Sequence, residues 1–112
     1  MNIQEILALE NRNTHKIYLY IDLENNLFIA YEFSAYLLTR LFDTLKLEVQ
    51  NLKASDERVI YTTRISDQLV ANTFTGHNTT IGEQYIKVVL DDIITCTRWR
   101  VEFNKQKKEI GS

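Results

Sequence analysis

The chain has no proline, one cysteine and three glycines in 112 residues, and each shortage closes a class of explanation. With no proline, and glycine only at Gly76, Gly82 and Gly111, there is no Pro-rich or Gly-rich linker, no collagen-like repeat and no glycine-rich phosphate loop. Cys96 stands alone, so no intramolecular disulfide forms and nothing points to an oxidising compartment. One cysteine and two histidines fall short of a Cys-based structural zinc site, and no metal or cofactor is expected. A long apolar run is missing too. The longest uncharged stretch, residues 68–82, is polar and short, so no membrane span is expected. The N-terminal segment carries Glu5 and Glu10 without a basic run, which is not the pattern of a secretory signal; the cytoplasm is the expected location.

What is present is ordinary for a soluble domain: 45% hydrophobic and 25% charged residues. At this length one core forms and two do not, so residues 1–112 are read as a single domain. A net charge of −2 excludes attachment to nucleic acid by bulk charge alone. The charge is uneven, however. Acidic groups outnumber basic ones nine to five in residues 1–57, and basic groups outnumber acidic ones eight to six in residues 58–112.

Hydrophobic spacing orders the chain. Asn2 and Glu5 form a helix-start signature, with Ile3, Ile6 and Leu7 on one side of a short helix. Residues 16–23 alternate, with Ile17, Leu19, Ile21 and Leu23 on one face and Tyr18, Tyr20 and Asp22 on the other. Residues 24–26 read as a turn because Asn tolerates the left-handed backbone, and residues 27–32 return as the second arm of a hairpin. Ser34 caps a helix to about Asp43 whose apolar face is Leu37, Leu38, Leu41 and Phe42. A strand over residues 45–49, a polar loop over 53–57 and a β-branched strand over 58–63 follow. Ser66-Asp67 opens a helix with Leu69, Val70 and Phe74, ended by Gly76. Residues 85–90 read as a strand. In residues 91–110 alternation at Trp99, Val101 and Phe103 competes with a helical stripe at Trp99, Phe103 and Ile110, and the Lys-rich end without a breaker favours the helix. The expected architecture is α/β: one mixed sheet with an N-terminal antiparallel hairpin and helices packed on it.

No constellation for catalysis emerges. In Asp91-Asp92, neighbouring carboxylates on a strand point apart, and a helix cap is the simpler role. His15 and His77 fall in loops outside any His-x-x-Glu frame, and Ser34 and Ser66 sit at helix starts without Gly-x-Ser-x-Gly around them. Cys96, beside Arg98 but among Ile93, Ile94 and Trp99, reads as a small buried apolar group. Tyr18, Tyr20, Tyr31, Tyr36, Phe28 and Phe33 concentrate aromatic rings on the hairpin and the helix after it. Exposed, they would be a stacking or contact platform; with helices available to cover the sheet, core is the better reading for most. Arg98, Arg100, Lys105, Lys107 and Lys108 against Glu102 make the C-terminal segment locally basic, able to hold phosphates or simply to solvate a helix end.

The segment Ile17-Tyr18-Leu19-Tyr20, then Asn25-Asn26-Leu27-Phe28-Ile29-Ala30-Tyr31-Glu32-Phe33-Ser34-Ala35, resembles the start of the N-terminal mismatch-recognition domain of the MutS family of DNA repair proteins. That domain has an apolar strand, a Gly-Asp turn, a Phe-x-Glu motif on the return strand and a helix starting near Asp-Ala. Residues 45–48, 58–61, 66–74 and 85–90 look like its next strands and helix, so the likeness covers residues 16–91 and leaves 92–112 as a basic extension. Small stand-alone bacterial proteins on the same plan are similar as well, through Tyr31 to Ala35. Counted back from Ala35, the mismatch-stacking Phe falls on Leu27 and the base-contacting Glu on Ile29. Leu can wedge between bases, but Ile29 accepts no hydrogen bond, so the resemblance implies the family's fold without its mismatch-reading chemistry.

Two functions follow as expectations. The first is a small non-enzymatic binding module that engages a protein partner or itself. The second is a DNA-binding protein using Asn25, Asn26, Leu27 and Phe28 at the hairpin tip together with Arg98, Arg100, Lys105, Lys107 and Lys108.

Overall fold

The computed structural model describes residues 2–51, 59–74 and 78–111, the side chains of residues 51 and 108–111 excepted. Asn2 accepts from the Glu5 N–H at 2.9 Å and starts α1 (Ile3–Asn11), as its spacing implied. Strands β1 (Lys16–Asp22) and β2 (Leu27–Tyr31) then form the expected hairpin, with Asp22 opposite Leu27. Asn26 at the turn has φ 53°, the left-handed backbone that Asn enters at low cost. α2 (Glu32–Leu41), β3 (Glu48–Asn51), β4 (Val59–Ser66), α3 (Asp67–Thr73), β5 (Asn78–Ile81), β6 (Ile86–Val89) and α4 (Ile93–Gly111) complete the chain.

The strand order is β3-β4-β2-β1-β6-β5, and every hydrogen-bonded pair is antiparallel. This corrects the expectation of a mixed sheet. The helical crossovers α2 and α3 do join strands that run the same way, β2 to β3 and β4 to β5. In each case other strands are inserted between them, so no parallel pair becomes adjacent.

The helices cover the sheet unequally. On one face α2, α3 and α4 enclose a core of Ile17, Leu19, Ala30, Tyr61, Ile65 and Val88. On the other face α1 lays Ile6 on Tyr18, Tyr20 and Ile29, with Ile3, Leu9, Tyr31 and Tyr85 around them. Most of the aromatic group is therefore core, as the number of helices implied. Tyr18 and Tyr85 meet edge to face at 5.2 Å between centroids, and Tyr20 and Tyr31 at 5.6 Å.

α4 settles the ambiguity at the C-terminal end. Cys96 and Phe103 are buried and Trp99 is partly buried, which is one helical stripe, while Val101 faces outward. Phe103 sits among Phe33, Tyr36 and Tyr61 at 6.0, 5.0 and 5.6 Å between centroids. Asp92 caps the helix, accepting from the Thr95 N–H at 3.0 Å and the Thr95 hydroxyl at 2.7 Å. Ser66 caps α3 through the Leu69 N–H, again as read from sequence.

Three local expectations change. α2 begins at Glu32, so Ser34 lies inside its first turn rather than at its cap, and Leu41 ends half exposed while Leu37 and Leu38 are fully buried. The third strand starts at Glu48; Leu45 and Leu47 pack on the core from the segment before it. β5 was not foreseen, since Asn78, Thr79 and Thr80 form an exposed edge with no apolar alternation to betray it. The expected loop at 53–57, Arg58, His77 and the helix end at Gly76 lie outside the described residues.

Candidate interaction surfaces

The hairpin tip is a braced turn. Asn25 donates its N–H to the Asp22 carbonyl at 3.4 Å and its Nδ2 to the Asp22 carboxylate at 2.9 Å. Arg64 bridges that carboxylate at 3.5 Å and Glu48 at 3.0 Å. The Asn25 hydrogen bond, with help from the Glu24 backbone and Arg64, holds the Asp22 carboxyl below its ordinary range. Asn25 and Asn26 are exposed, but Leu27 is half-buried, and Phe28 turns onto the helix-covered face opposite Ile65.

Two of the five cations expected to act with this tip, Arg100 and Lys107, have partners elsewhere. Arg100 donates to the carbonyls of Glu10 and Asn11, both at 3.2 Å, and so satisfies the C-terminal end of α1, which has no basic residue of its own there. Its guanidinium lies 5.0 Å from the Phe33 ring centroid. Lys107 is bonded to Glu32 at 2.7 Å, beyond the far end of β2 from the turn. Arg98 and Lys105 are exposed on α4, and the side chain of Lys108 lies outside the described residues. The structure thus places Lys107 at the end of β2 away from the turn and engages Arg100 and Lys107 internally.

A polar network that the sequence did not signal sits where α1, β1 and α2 meet. Glu10 is 1% exposed. Its carboxylate accepts from the Ser34 N–H at 2.8 Å, the Ser34 hydroxyl at 2.6 Å and Asn13 Nδ2 at 3.2 Å. The Ser34 hydroxyl in turn accepts from the Tyr18 N–H at 2.9 Å. Glu10 therefore caps α2 from another helix, in place of the side-chain cap that Tyr31 does not provide. Burial pushes its carboxyl up to about 7, against the opposing pull of Ser34, Asn13 and Arg100. A Ser–Glu pair at this distance has the contacts of an activated hydroxyl. Here both side chains are sealed from solvent and the serine oxygen is already spent on Tyr18, so the arrangement organises α1 against α2.

Glu32 mirrors Glu10 at the other end of the same helix start. It adopts φ 49°, a left-handed conformation that costs a non-glycine residue on the order of 1 kcal/mol or more. Its carboxylate continues the β2–β4 ladder by accepting the Tyr61 N–H at 2.9 Å and pairs with Lys107. Two bonds to one buried carboxylate offset the backbone cost.

An exposed apolar surface lies beside the hairpin tip. The row Ile17, Leu19, Ile21 and Leu23 starts under the helices and runs out from beneath them: the first two are buried, while Ile21 is 62% and Leu23 84% exposed. Ile21 pairs with Phe28, Leu19 with Ile86, and Ile86 with Ile81, which is 80% exposed. A groove of about 620 Å³ has walls of Phe28, Ile81 and Ile86 from the sheet and Asp67, Val70 and Ala71 from α3, with Ile21 beside it as the cross-strand partner of Phe28. The signal for it was in the sequence, an alternating row longer than the helices above it, but which half stayed open depended on where those helices end. On the tyrosine face a second cleft of about 510 Å³ separates α1 from the β5–β6 turn, lined by Glu5, Leu9, Glu83, Tyr85 and Lys87.

Among the described residues no group of His, Cys, Asp or Glu could hold a metal ion, and no helix is long and apolar enough to cross a membrane. Compared with family models, curated proteins and solved structures, the chain matches none of them.

Proposed function

We propose that this chain is a small non-enzymatic binding module whose partner is a protein, a second copy included. One observation carries the reading: exposed Ile81 lines an apolar groove at one end of the sheet, and exposed Ile21 is paired with its wall residue Phe28. Single exposed apolar residues are commonplace, whereas a contiguous set joined by strand register favours a contact surface. Burial of the Glu10–Ser34 pair supports the non-enzymatic part. A photo-reactive side chain placed at Ile81 is expected to join the chain to a polypeptide in the cell, whereas one at Gln4, exposed on α1, is not. Capture at neither position, or equally at both, overturns the proposal.

The nucleic-acid reading, with its likeness to MutS, rests on exposed Asn25 and Asn26 at the turn and on Arg98 and Lys105. Internal engagement of Arg100 and Lys107 weighs against it. Titration with duplex, mismatched and single-stranded oligonucleotides is expected to show nothing tighter than about 10⁻⁴ M, the weak end of non-specific binding. Tighter, salt-sensitive binding lost in an Arg98→Glu, Lys105→Glu double variant would replace the protein-contact reading with this one.

A further inference from the structure

α1 is fastened firmly at one end only. Of its residues Ile6 and Glu10 alone are buried, Ile6 on Tyr18, Tyr20 and Ile29, and Glu10 in the last turn. Among the described residues, every side-chain hydrogen bond that ties α1 to another element gathers at that turn: Glu10 to Ser34, and Arg100 to the carbonyls of Glu10 and Asn11. Along its flank a cleft of about 510 Å³ parts α1 from the β5–β6 turn. In the layer beneath it Tyr20 is buried, and its hydroxyl has no hydrogen-bond partner among the described residues. Such a hydroxyl opposes the closed arrangement and is satisfied by water once the cover lifts. One buried anchor, an open flank and an orphan hydroxyl below mark a segment that opens before the rest.

The fastening is also titratable. The direct contacts of the Glu10 carboxylate are neutral donors, the Ser34 N–H and hydroxyl and Asn13 Nδ2. From the elements packed around it, β1 presents the phenols of Tyr18 and Tyr20, and α4 presents Arg100. Burial pushes both phenols above their ordinary range, so they stay protonated near neutrality. Arg100 is the one cation facing Glu10 among the described residues, and its guanidinium is bonded to main-chain carbonyls. It also faces Glu32 of α2, which is paired with Lys107. Arg12, exposed at the end of α1, faces Tyr18. No direct contact therefore brings a full opposite charge to the carboxylate. Protonated, the carboxyl sheds its buried charge while Oε1 still accepts the Ser34 N–H. Ionised, it gains hydration by leaving.

We propose that α1 is a releasable strap over the tyrosine face of the sheet and that the Glu10 carboxyl is its latch, held when protonated and loosened when ionised. Release uncovers Tyr18, Tyr20 and Ile29 and leaves the core under α2, α3 and α4 in place. The sign follows from the two states. In the lifted strap Glu10 is an ordinary carboxyl near 4.5, and in the closed one burial raises it to about 7. Between these values lifting releases a proton, so it becomes about tenfold more favourable for each pH unit, and above them it is level.

The test is amide hydrogen exchange of the full chain by NMR from about pH 5 to about pH 8. Each rate is divided by its value in an unstructured chain, so that only opening is read. Protection at residues 7–11 and at the Ser34 amide should fall at least tenfold as pH rises to about 7 and then level off. It should also stay at least tenfold below that of Ile29 and Ala30, in the middle of the sheet. Ser34 lies 24 residues from Glu10, so its loss of protection together with α1 reports release of the latch and not fraying of a helix end. Glu10→Gln should make protection in α1 independent of pH across the same range. Protection in α1 equal to that of Ile29 and Ala30 means that α1 lifts only when the whole chain unfolds, and overturns the proposal. So does wild-type protection in α1 that ignores pH, a Ser34 amide that does not follow α1, or an unchanged pH profile in Glu10→Gln. If that variant fails to fold, the wild-type series decides alone.

Discussion

Glu10 and Glu32 are both removed from water, one at the end of α1 and one at the start of α2, yet they are satisfied by different chemistry. Glu10 is surrounded by neutral donors, the Ser34 amide and hydroxyl and Asn13, with Arg100 turned to the backbone beside it. Glu32 meets the ammonium of Lys107, which is one-third exposed, and a single amide. The first site favours an uncharged carboxyl and is closed to solvent. The second is ion-paired and opens at its rim. The difference teaches that a buried carboxylate is satisfied either by neutral donors or by a cation.

Deletion separates the two sites most strongly. Glu10→Ala leaves the Ser34 N–H, its hydroxyl and Asn13 without their acceptor in a sealed space, and is expected to cost about 3 kcal/mol or more in urea denaturation. A loss under about 1 kcal/mol would mean that water enters the site.

The pH dependence comes next. The folded-state carboxyl of Glu10 is raised to about 7 from an ordinary 4.5, so between these values the native protein holds a proton that the unfolded chain releases. Its contribution is therefore fully present below the lower value, is lost as pH rises through the window, and is level above it. Protonated, the carboxyl can donate to the Ser34 oxygen across the same contact. Glu10→Gln removes this titration. The stability of the variant relative to wild type should rise across the window by roughly 3 kcal/mol, measured by unfolding at a series of pH values. A difference that does not change with pH would show that Glu10 is charged throughout.

The smallest effect belongs to the open site. Lys107→Met removes the ammonium but keeps most of the chain that lies over Phe103, and is expected to cost about 1 kcal/mol because the pair is partly in water. That cost should shrink in high salt, whereas the cost of Glu10→Ala should not. Equal salt dependence would erase the contrast between the sites.

Much of the local structure was legible from short-range signals. Asn2, Ser66 and Asp92 cap helices because a short polar side chain before an apolar stripe has an obvious backbone donor to satisfy. The hairpin was equally plain, since alternation and a pair of asparagines at the turn act over a few residues. β5 was not legible, because its register comes from β6 rather than from its own side chains. Nor was the true role of Ser34: a serine near a helix start reads as a cap, and only the arrival of Glu10 from α1, 24 residues earlier, turns it into the centre of a buried network.

The sequence by itself determined the content of the surfaces: an acidic first half, a basic C-terminal helix, and an apolar row on β1 that runs as far as the turn. These follow from composition and from the period of two that a strand imposes. The tertiary structure alone decided what each becomes. It inserts β4 between β2 and β3, making the sheet wholly antiparallel. It spends Arg100 and Lys107 on α1 and Glu32, and it leaves Ile21 and Leu23 uncovered while burying Ile17 and Leu19. Coverage and pairing are long-range properties, set by where helices end once the whole sheet has assembled. No local pattern of residues encodes them.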